Sequence, residues 1–535
     1  MPKLTVTAGG TAREILFEPG TSVLELLEGA GFLIRTGCRG DGACGLCLVQ
    51  IEAGETSDTT KNERLILPTE QLASNYRLAC QLKPTNDLQL RIINRVSTFN
   101  WHDLPADCLP CSSLHLNSLA EVPSAKTSYA LAIDLGTTHI SLSLLDLKSG
   151  RRLYGRVGPN PQSLYGTDVV TRLIAAGDSP VNARRLACLP LEAVAEALRE
   201  MGLRDGFWPA NIAQVAIVGN TAMLSLLTGA DPRKLLQPEN WTLPVECKAE
   251  QPQTWISLLE IHSQATVEVI SPLAGFVGSD LLAGVVATRL TEQPGSLLID
   301  FGTNSEMALW DGHTLWVTSA AGGPAFEGCG IQCGMPAEPG AIYHFGGPQS
   351  SDGLQFQVLG GGVAKGFCGS GFVDLIAYLR DNGELTRTGS FTSDRHAGYI
   401  VLGTDPVIRL TKKDVDTFQR AKAAIGAGVS TLLFKAQLSA IELNRICVCG
   451  AFGRNLNVRN AQRVGLLPDL TEGCVELCGN TALAGCERLL LSSIGSAELV
   501  SLRRKATIIN LSQASDFDAL FLENLYLQPF KAEKA

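Results

Sequence analysis

A chain of 535 residues with 45% hydrophobic and 18% charged residues is long enough for several cores and far too apolar for a disordered polypeptide. Its formal net charge of −9 argues against nucleic acid or an anionic membrane surface as the main partner. No apolar stretch approaches the roughly 18–20 residues of a spanning helix, and residues 1–7 lack the apolar core of a secretion signal, so the expected compartment is the cytoplasm.

Residues 3–7 alternate at period two, Gly9-Gly10 supplies a turn, and residues 13–18 predict the returning strand. Pro19-Gly20 punctuates, and Thr21 or Ser22 can cap a helix carrying Val23, Leu26 and Leu27 on one face. After a glycine-rich loop, apolar runs at residues 46–51, 77–82 and 88–93 complete the order of a small β-grasp domain over residues 1–95. Residues 96–127 hold Pro105, Pro110 and Pro123 with little periodicity and predict a linker.

From residue 128 strands and helices alternate, which favours an α/β architecture. Helices are expected over residues 191–201, 372–379 and 414–433. An internal echo organises this region: Leu131-Ala-Ile-Asp134-Leu-Gly136-Thr137-Thr138 is answered by Leu298-Ile-Asp300-Phe-Gly302-Thr303-Asn304, each followed by a second apolar strand. The repeat implies two related halves, residues 128–295 and 296–535, the second ending in a tail from Pro529.

Sixteen cysteines are many for a reducing compartment, where metal binding or plain burial explains thiols better than disulfides do. Cys38-x5-Cys44-x2-Cys47, followed by Cys80, forms the one clear constellation. Soft thiolates hold iron–sulfur clusters four at a time, and Gly37, Gly40, Gly42 and Gly45 let backbone N–H groups approach the cluster sulfurs. A zinc ribbon shows two Cys-x2-Cys pairs, whereas this loop has one. The expected group is a [2Fe–2S] cluster, and with the β-grasp order the spacing resembles the adrenodoxin-like branch of ferredoxins. Cys108-Leu-Pro-Cys111 lacks a thioredoxin-like context and reads as free thiols; Cys329, Cys333, Cys447, Cys449, Cys474 and Cys478 read as small buried hydrophobes.

Asp-x-Gly-Thr after a strand suits a phosphate clamp. Gly136, Thr137 and Thr138 on one side, and Gly302, Thr303 and Asn304 on the other, offer backbone approach and donors, while Asp134 and Asp300 can hold Mg2+. A third apolar strand runs into Gly450-Ala451-Phe452-Gly453, which resembles the adenosine motif of the actin/hexokinase/heat-shock superfamily. ATP is the expected nucleotide. Neither a Walker A sequence nor a Rossmann fingerprint competes with this reading.

Together these residues resemble the reductive activators of corrinoid-dependent methyltransferase systems. The likeness extends through Val218-Gly-Asn-Thr221, Ala274-Gly-Phe-Val-Gly278-Ser-Asp280, Ala320-Ala-Gly-Gly-Pro324-Ala-Phe-Glu327, Gly366-Phe-Cys-Gly369-Ser-Gly371, Phe418-Gln-Arg-Ala-Lys422 and Gly479-Asn-Thr-Ala-Leu-Ala484. The resemblance implies a ferredoxin domain fused to a duplicated actin-like (ribonuclease H-like) ATPase fold. It implies one-electron return of a corrinoid from Co(II) to Co(I), driven by ATP, with a corrinoid protein or corrinoid-dependent methyltransferase as partner and a separate electron donor. Glu306 and Glu327 become candidates for orienting the attacking water. Plant-type centres lie near roughly −400 mV, the cobalt couple is harder to reduce, and each 100 mV uphill costs about 2.3 kcal/mol. The short linker leaves no room for the extra middle domain of longer relatives, so a homodimer like theirs is left open. Two other readings stay in play: a redox-gated small-molecule kinase of the sugar-kinase fold, and a redox-responsive protein that binds nucleotide without hydrolysis.

Overall fold

Alternating Leu4 and Val6, both buried, make Lys3–Ala8 (β1) one arm of a hairpin whose other arm is Thr11–Leu16 (β2). In this computed structural model the described residues are 1–8, 11–30, 32, 34, 40, 42, 47–67, 69–92, 101–104, 129–166, 168–302, 304–328, 330–348, 354–392, 399–402, 407–450, 452–492 and 495–530. Ser22 caps Val23–Gly29 (α1) through a capping box with Glu25, and Val23 and Leu27 enter the core beneath the sheet. Leu48–Ala53 (β3), Lys61–Ile66 (α2), Thr69–Ala73 (α3), Tyr76–Leu78 (β4) and Leu88–Ile92 (β5) complete the unit. The strand order is β2-β1-β5-β3-β4, with β1 and β5 parallel and the other pairs antiparallel, as a β-grasp requires.

The strand expected over residues 77–82 stops at Leu78. Gln81 and Leu82 both donate their N–H groups to Leu78 O, which closes a turn around Cys80. A buried pair fixes the strand before that turn: Arg77 Nε donates to Glu63 Oε1 at 2.8 Å, and Leu78 N to the same oxygen at 3.1 Å. Hydrogen bonds on both partners are what make a buried ion pair tolerable.

The next sheet corrects part of the linker assignment. His102–Asp103 (β6) pairs antiparallel with Arg151–Pro159 (β9), and Leu104 N donates to Gly155 O at 3.1 Å. Inside it lie Tyr129–Leu135 (β7), His139–Asp146 (β8), Ile212–Gly219 (β10) and Thr266–Val269 (β11), in the order β11-β10-β7-β8-β9-β6. Val169–Asp178 (α4), Pro180–Asp205 (α5), Thr221–Thr228 (α6), Pro252–Leu259 (α7) and Ser279–Thr288 (α8) cover it. Helix α5 begins eleven residues before the expected start at 191, because Pro190 is accommodated inside it. Leu186, Leu189, Val194, Leu198 and Met201 carry its buried stripe across that point, so tertiary packing outweighs the local break.

The same plan is repeated by Ser296–Asp300 (β12), Ser305–Trp310 (β13), Leu315–Ala320 (β14), Arg445–Cys449 (β20), Val475–Gly479 (β21) and Ala506–Ile508 (β22), ordered β21-β20-β12-β13-β14-β22. Each sheet has one central strand that pairs antiparallel with its successor and parallel with a later arrival: β7 with β8 and β10, β12 with β13 and β20. The second lobe inserts Ala341–Pro348 (β15), Leu354–Val358 (β16), Gly366–Phe367 (β17), Gly369–Asp381 (α9), Tyr399–Leu402 (β18), Ile408–Leu410 (β19) and Lys412–Ala436 (α10) between them. Val458–Arg463 (α11), Thr481–Leu491 (α12), Gly495–Lys505 (α13) and Phe517–Asn524 (α14) follow.

Helices α8 and α12, one from each lobe, cross in close contact: a Cβ on Gly485 would stand 2.0 Å from Ala283 O. This crossing sets the cleft between the two central strands. At the start of the expected tail Phe530 is buried and bridges to Pro468, and just before it Leu527 N donates to Arg387 O at 2.8 Å, while residues 531–535 lie outside the described residues. Among the described residues no helix is long and apolar enough to cross a membrane.

Candidate functional site

Two of the four predicted cluster ligands are described, and the fold brings them together. Cys47 enters β3, Cys80 sits in the turn after β4, and Ala79 N donates to Cys47 O at 2.8 Å. The hydrogen bond from Cys47 lowers the Cys80 thiol to about 7 against the opposing effect of burial, with Gln81 and the Gly42 N–H adding to it. Gln81 Nε2 lies 3.6 Å from Cys80 Sγ and 2.8 Å from Gly40 O, so it ties the glycine-rich loop to this sulfur. A thiolate available near neutral pH, met by N–H donors, is the donor chemistry an iron–sulfur cluster needs. Cys38 and Cys44 lie outside the described residues.

The first phosphate loop is the β7–β8 hairpin turn. Gly136 N donates to His139 O at 3.0 Å, Asn160 Nδ2 donates to Gly136 O at 2.8 Å, and Asn160 N donates to Thr138 O at 2.8 Å. Arg172, buried on α4, donates from Nη1 to Thr137 O at 2.6 Å and from Nε to Gly166 O at 2.8 Å. Every carbonyl of the turn thus has a partner, which fixes the loop's conformation. Neither Asn160 nor Arg172 was legible in the sequence, because both reach the loop from distant elements.

The opposing loop follows β12. Phe301 N donates to Cys449 O at 3.2 Å, and Phe301 packs on Phe326 and Phe452 with ring centroids 5.8 Å and 5.0 Å apart. Gly302 and Asn304 flank this turn, whereas Thr303 and Ala451 lie outside the described residues. Gly450 adopts φ +87°, and a Cβ there would lie 2.5 Å from Phe301 O and 2.9 Å from Asp300 Oδ1, so glycine is required on both counts. Gly453 is buried within a 3-10 turn formed by Phe452–Asn455.

Asp134 stands next to last in β7 and Asp300 ends β12, so the repeat places one carboxylate from each lobe at the cleft. Asp280, in the first turn of α8, joins them, a role that its motif alone does not announce. Burial pushes Asp134 up to about 7, opposed by an Asn480 hydrogen bond and helped by repulsion from Asp280. Burial carries Asp280 to about 6. Burial, then repulsion from Asp280 and Asp134, carries Asp300 to about 8. Glu306 is 4% exposed, accepts the Gly278 N–H on both oxygens at 3.3 Å, and is raised well above the usual range by burial and by Asp280 and Asp300. Such mutual repulsion between carboxyls is what a divalent cation relieves. The Glu327 side chain lies outside the described residues, so the structure joins only Glu306 of that pair to the cleft.

Asn480 adds further hydrogen bonds between the lobes across this site. Asn480, the N-cap of α12, donates from Nδ2 to Asp134 Oδ2 at 2.8 Å and to Ser141 Oγ at 3.2 Å, while its Oδ1 accepts from Leu483 N.

Comparison with known proteins agrees with this geometry. Three family profiles match in succession: the 2Fe-2S iron-sulfur cluster binding domain over residues 6–85, the RACo middle region over residues 129–293, and the C-terminal ASKHA domain of RACo over residues 295–535. The expectation that no middle domain fits is therefore corrected, since the middle region coincides with the first lobe. The corrinoid activation enzyme RamQ of Eubacterium limosum is 31% identical over 75% of this chain and 70% of its own. A reductase of the Co(II) methylated amine-specific corrinoid protein from Methanosarcina barkeri is 27% identical over 72% of this chain and 74% of its own. The solved structure of a reductive activator for a corrinoid iron–sulfur protein superposes with a TM-score of 0.66 at 27% identity, covering 99% of both chains. With the ferredoxin domain, the nucleotide-binding ASKHA fold and this likeness along nearly its whole length, the chain belongs to the RACo family of ATP-dependent activators that reduce corrinoid proteins from Co(II) to Co(I).

Proposed function

We propose that the chain binds ATP with Mg2+ in the cleft between its lobes and couples their closure to electron delivery into a corrinoid protein. The observation that carries this reading is the meeting of Asp134 and Asp300, each at or next to the end of an equivalent strand, with Asn480 of the second lobe bonded to Asp134 of the first. Asp134 and Asp300 would hold Mg2+, which neutralises phosphate charge when bound. The Gly136–Thr138 turn and the matching turn at Gly302 receive phosphates, while Gly450 and Gly453 make room for the nucleoside. Asp280 faces both aspartates, whereas Glu306 is committed to the Gly278 N–H, so Asp280 is the better group to orient the attacking water. Glu306 instead holds the start of α8 through Gly278.

Cys38, Cys44, Cys47 and Cys80 would hold the [2Fe–2S] cluster, which supplies single electrons at low potential. A hinge that closes on nucleotide changes what the ferredoxin domain and the corrinoid protein can reach, and that is the step at which ATP acts. The partner is a corrinoid protein or a corrinoid-dependent methyltransferase, a separate reductant reloads the cluster, and the work is done in the cytoplasm. The direct test mixes anaerobic, reduced protein with a Co(II) corrinoid protein and follows the Co(I) absorbance. Growth of that band only when MgATP is present supports the proposal; ATP consumption stimulated by a sugar, with no Co(I), sinks it.

Mg2+ binding carries a pH signature. Cation and protons compete for Asp134 and Asp300, whose carboxyls burial and neighbouring carboxylates push up to about 7 and about 8. Apparent Mg2+ affinity therefore rises from pH 6 to pH 8, on the order of tenfold per unit for each proton displaced. Calorimetry in buffers of different ionisation enthalpy reads the protons released, and a pH-independent affinity contradicts the assignment.

A further inference from the structure

The sequence scatters Cys447 and Cys478, but the fold sets them on one face of adjacent parallel strands. Cys447 pairs with Glu476 across β20 and β21, and Cys478 follows two residues further along on the same side. The two sulfurs and a Glu476 carboxylate oxygen all lie within 4.8 Å of one another, the one such group of metal-ligating atoms among the described residues. A tetrahedral ion with metal–sulfur bonds of about 2.3 Å spaces its donors by roughly 3.8 Å, so rotamer-scale movement closes the set. The sulfurs are buried while Glu476 is exposed, which leaves an entry from the rim.

The surroundings fit a cation with soft-ligand preference. Arg445 donates from Nε and Nη2 to the two Glu476 oxygens at 2.7 Å each, and from Nη1 to Thr288 O at 2.7 Å, so the carboxylate is already oriented. Two thiolates and a carboxylate against a divalent ion leave one negative charge, which the guanidinium balances. Hydrogen bonding with the Cys478 thiol, then burial, keeps Cys447 protonated in the absence of a cation.

We propose that Cys447, Cys478 and Glu476 form a site for one thiophilic divalent cation of the zinc class, distinct from both the ferredoxin cysteines and the cleft carboxylates. Binding exchanges the two thiol protons for the ion, with water in the fourth position and no change of oxidation state. The ion staples β20 to β21 just before Gly450 and Asn480, the residues that line the nucleotide turn and bridge the lobes. The inference stands independently of the ATP reading.

The test uses anaerobic protein with its iron–sulfur cluster intact and Zn2+ titrated against a chromophoric chelator. One Zn2+ per chain is expected, with affinity lowered about 10–100-fold in Glu476→Gln, an exposed change, and at least that much in the Cys447→Ser/Cys478→Ser double variant. Iron content and the reduced-state EPR signal stay constant in all three. In the unaltered chain, Zn2+ should protect Cys447 and Cys478, but not exposed Cys188, from alkylation read by mass spectrometry. Equal Zn2+ binding by wild type and both variants, or alkylation of Cys478 unaffected by Zn2+, overturns the site.

Discussion

Cys80→Ser is expected to strip the protein of cluster iron and reduce corrinoid activation to background while leaving ATP binding intact. Serine keeps the shape of the turn after β4 but replaces a soft thiolate by a hydroxyl that does not ionise near neutral pH. In the native chain Cys47, Gln81 and the Gly42 N–H all favour the Cys80 thiolate, so the environment is built for a charged sulfur. Burial of both Cys47 and Cys80 gives a hydroxyl little water to compensate it. Iron analysis and the reduced-state EPR signal check the first part, and isothermal titration with nucleotide the second. Iron and EPR signal unchanged from wild type would remove Cys80 from the ligand set.

Asp300→Asn is expected to lower MgATP hydrolysis by about 10²–10³, the usual loss when one preorganised electrostatic contact is removed. A stability signature should accompany the loss. Asp300 has its carboxyl raised to about 8, so the folded chain binds a proton there that the unfolded chain releases near the ordinary Asp value. This contribution is complete below about pH 4 and is lost as pH rises through about 8. Asparagine abolishes that dependence. Between pH 6 and pH 9 the Tm of metal-free wild type should therefore fall further than that of the variant, and with Mg2+ present the difference should shrink. Hydrolysis within twofold of wild type, together with an unchanged pH profile of Tm, would dismiss Asp300 from the site.

The two Asp-x-Gly-Thr turns were legible because a repeated local chemistry writes itself into contiguous residues: strand, acid, glycine, hydroxyl. The β-grasp order was legible for a similar reason, through alternation at Leu4 and Val6 and the Ser22–Glu25 capping box. Where local signals opposed packing they misled. Pro190 hid the first half of α5, and the proline-rich stretch around residue 105 concealed the edge strand His102–Asp103. At the start of the tail expected from Pro529, Phe530 is buried against partners such as Pro468, more than sixty residues away, which no local pattern shows.

The amino-acid order alone determined the two chemistries, thiolates for a cluster and paired acids with glycine turns for a nucleotide, because each needs particular atoms spaced closely along the backbone. Only the tertiary structure decided which distant groups serve them. Arg172 and Asn160 hold the first turn, Asp280 completes the carboxylate cluster, Asn480 joins the lobes, and Cys447 finds Cys478. Asn480 and Asp134 meet, 346 positions apart, because the two lobes are pressed together by α8 and α12. Arg172, Asn160 and Cys447 meet their partners across neighbouring elements of one lobe, and in neither case does a local pattern announce the meeting.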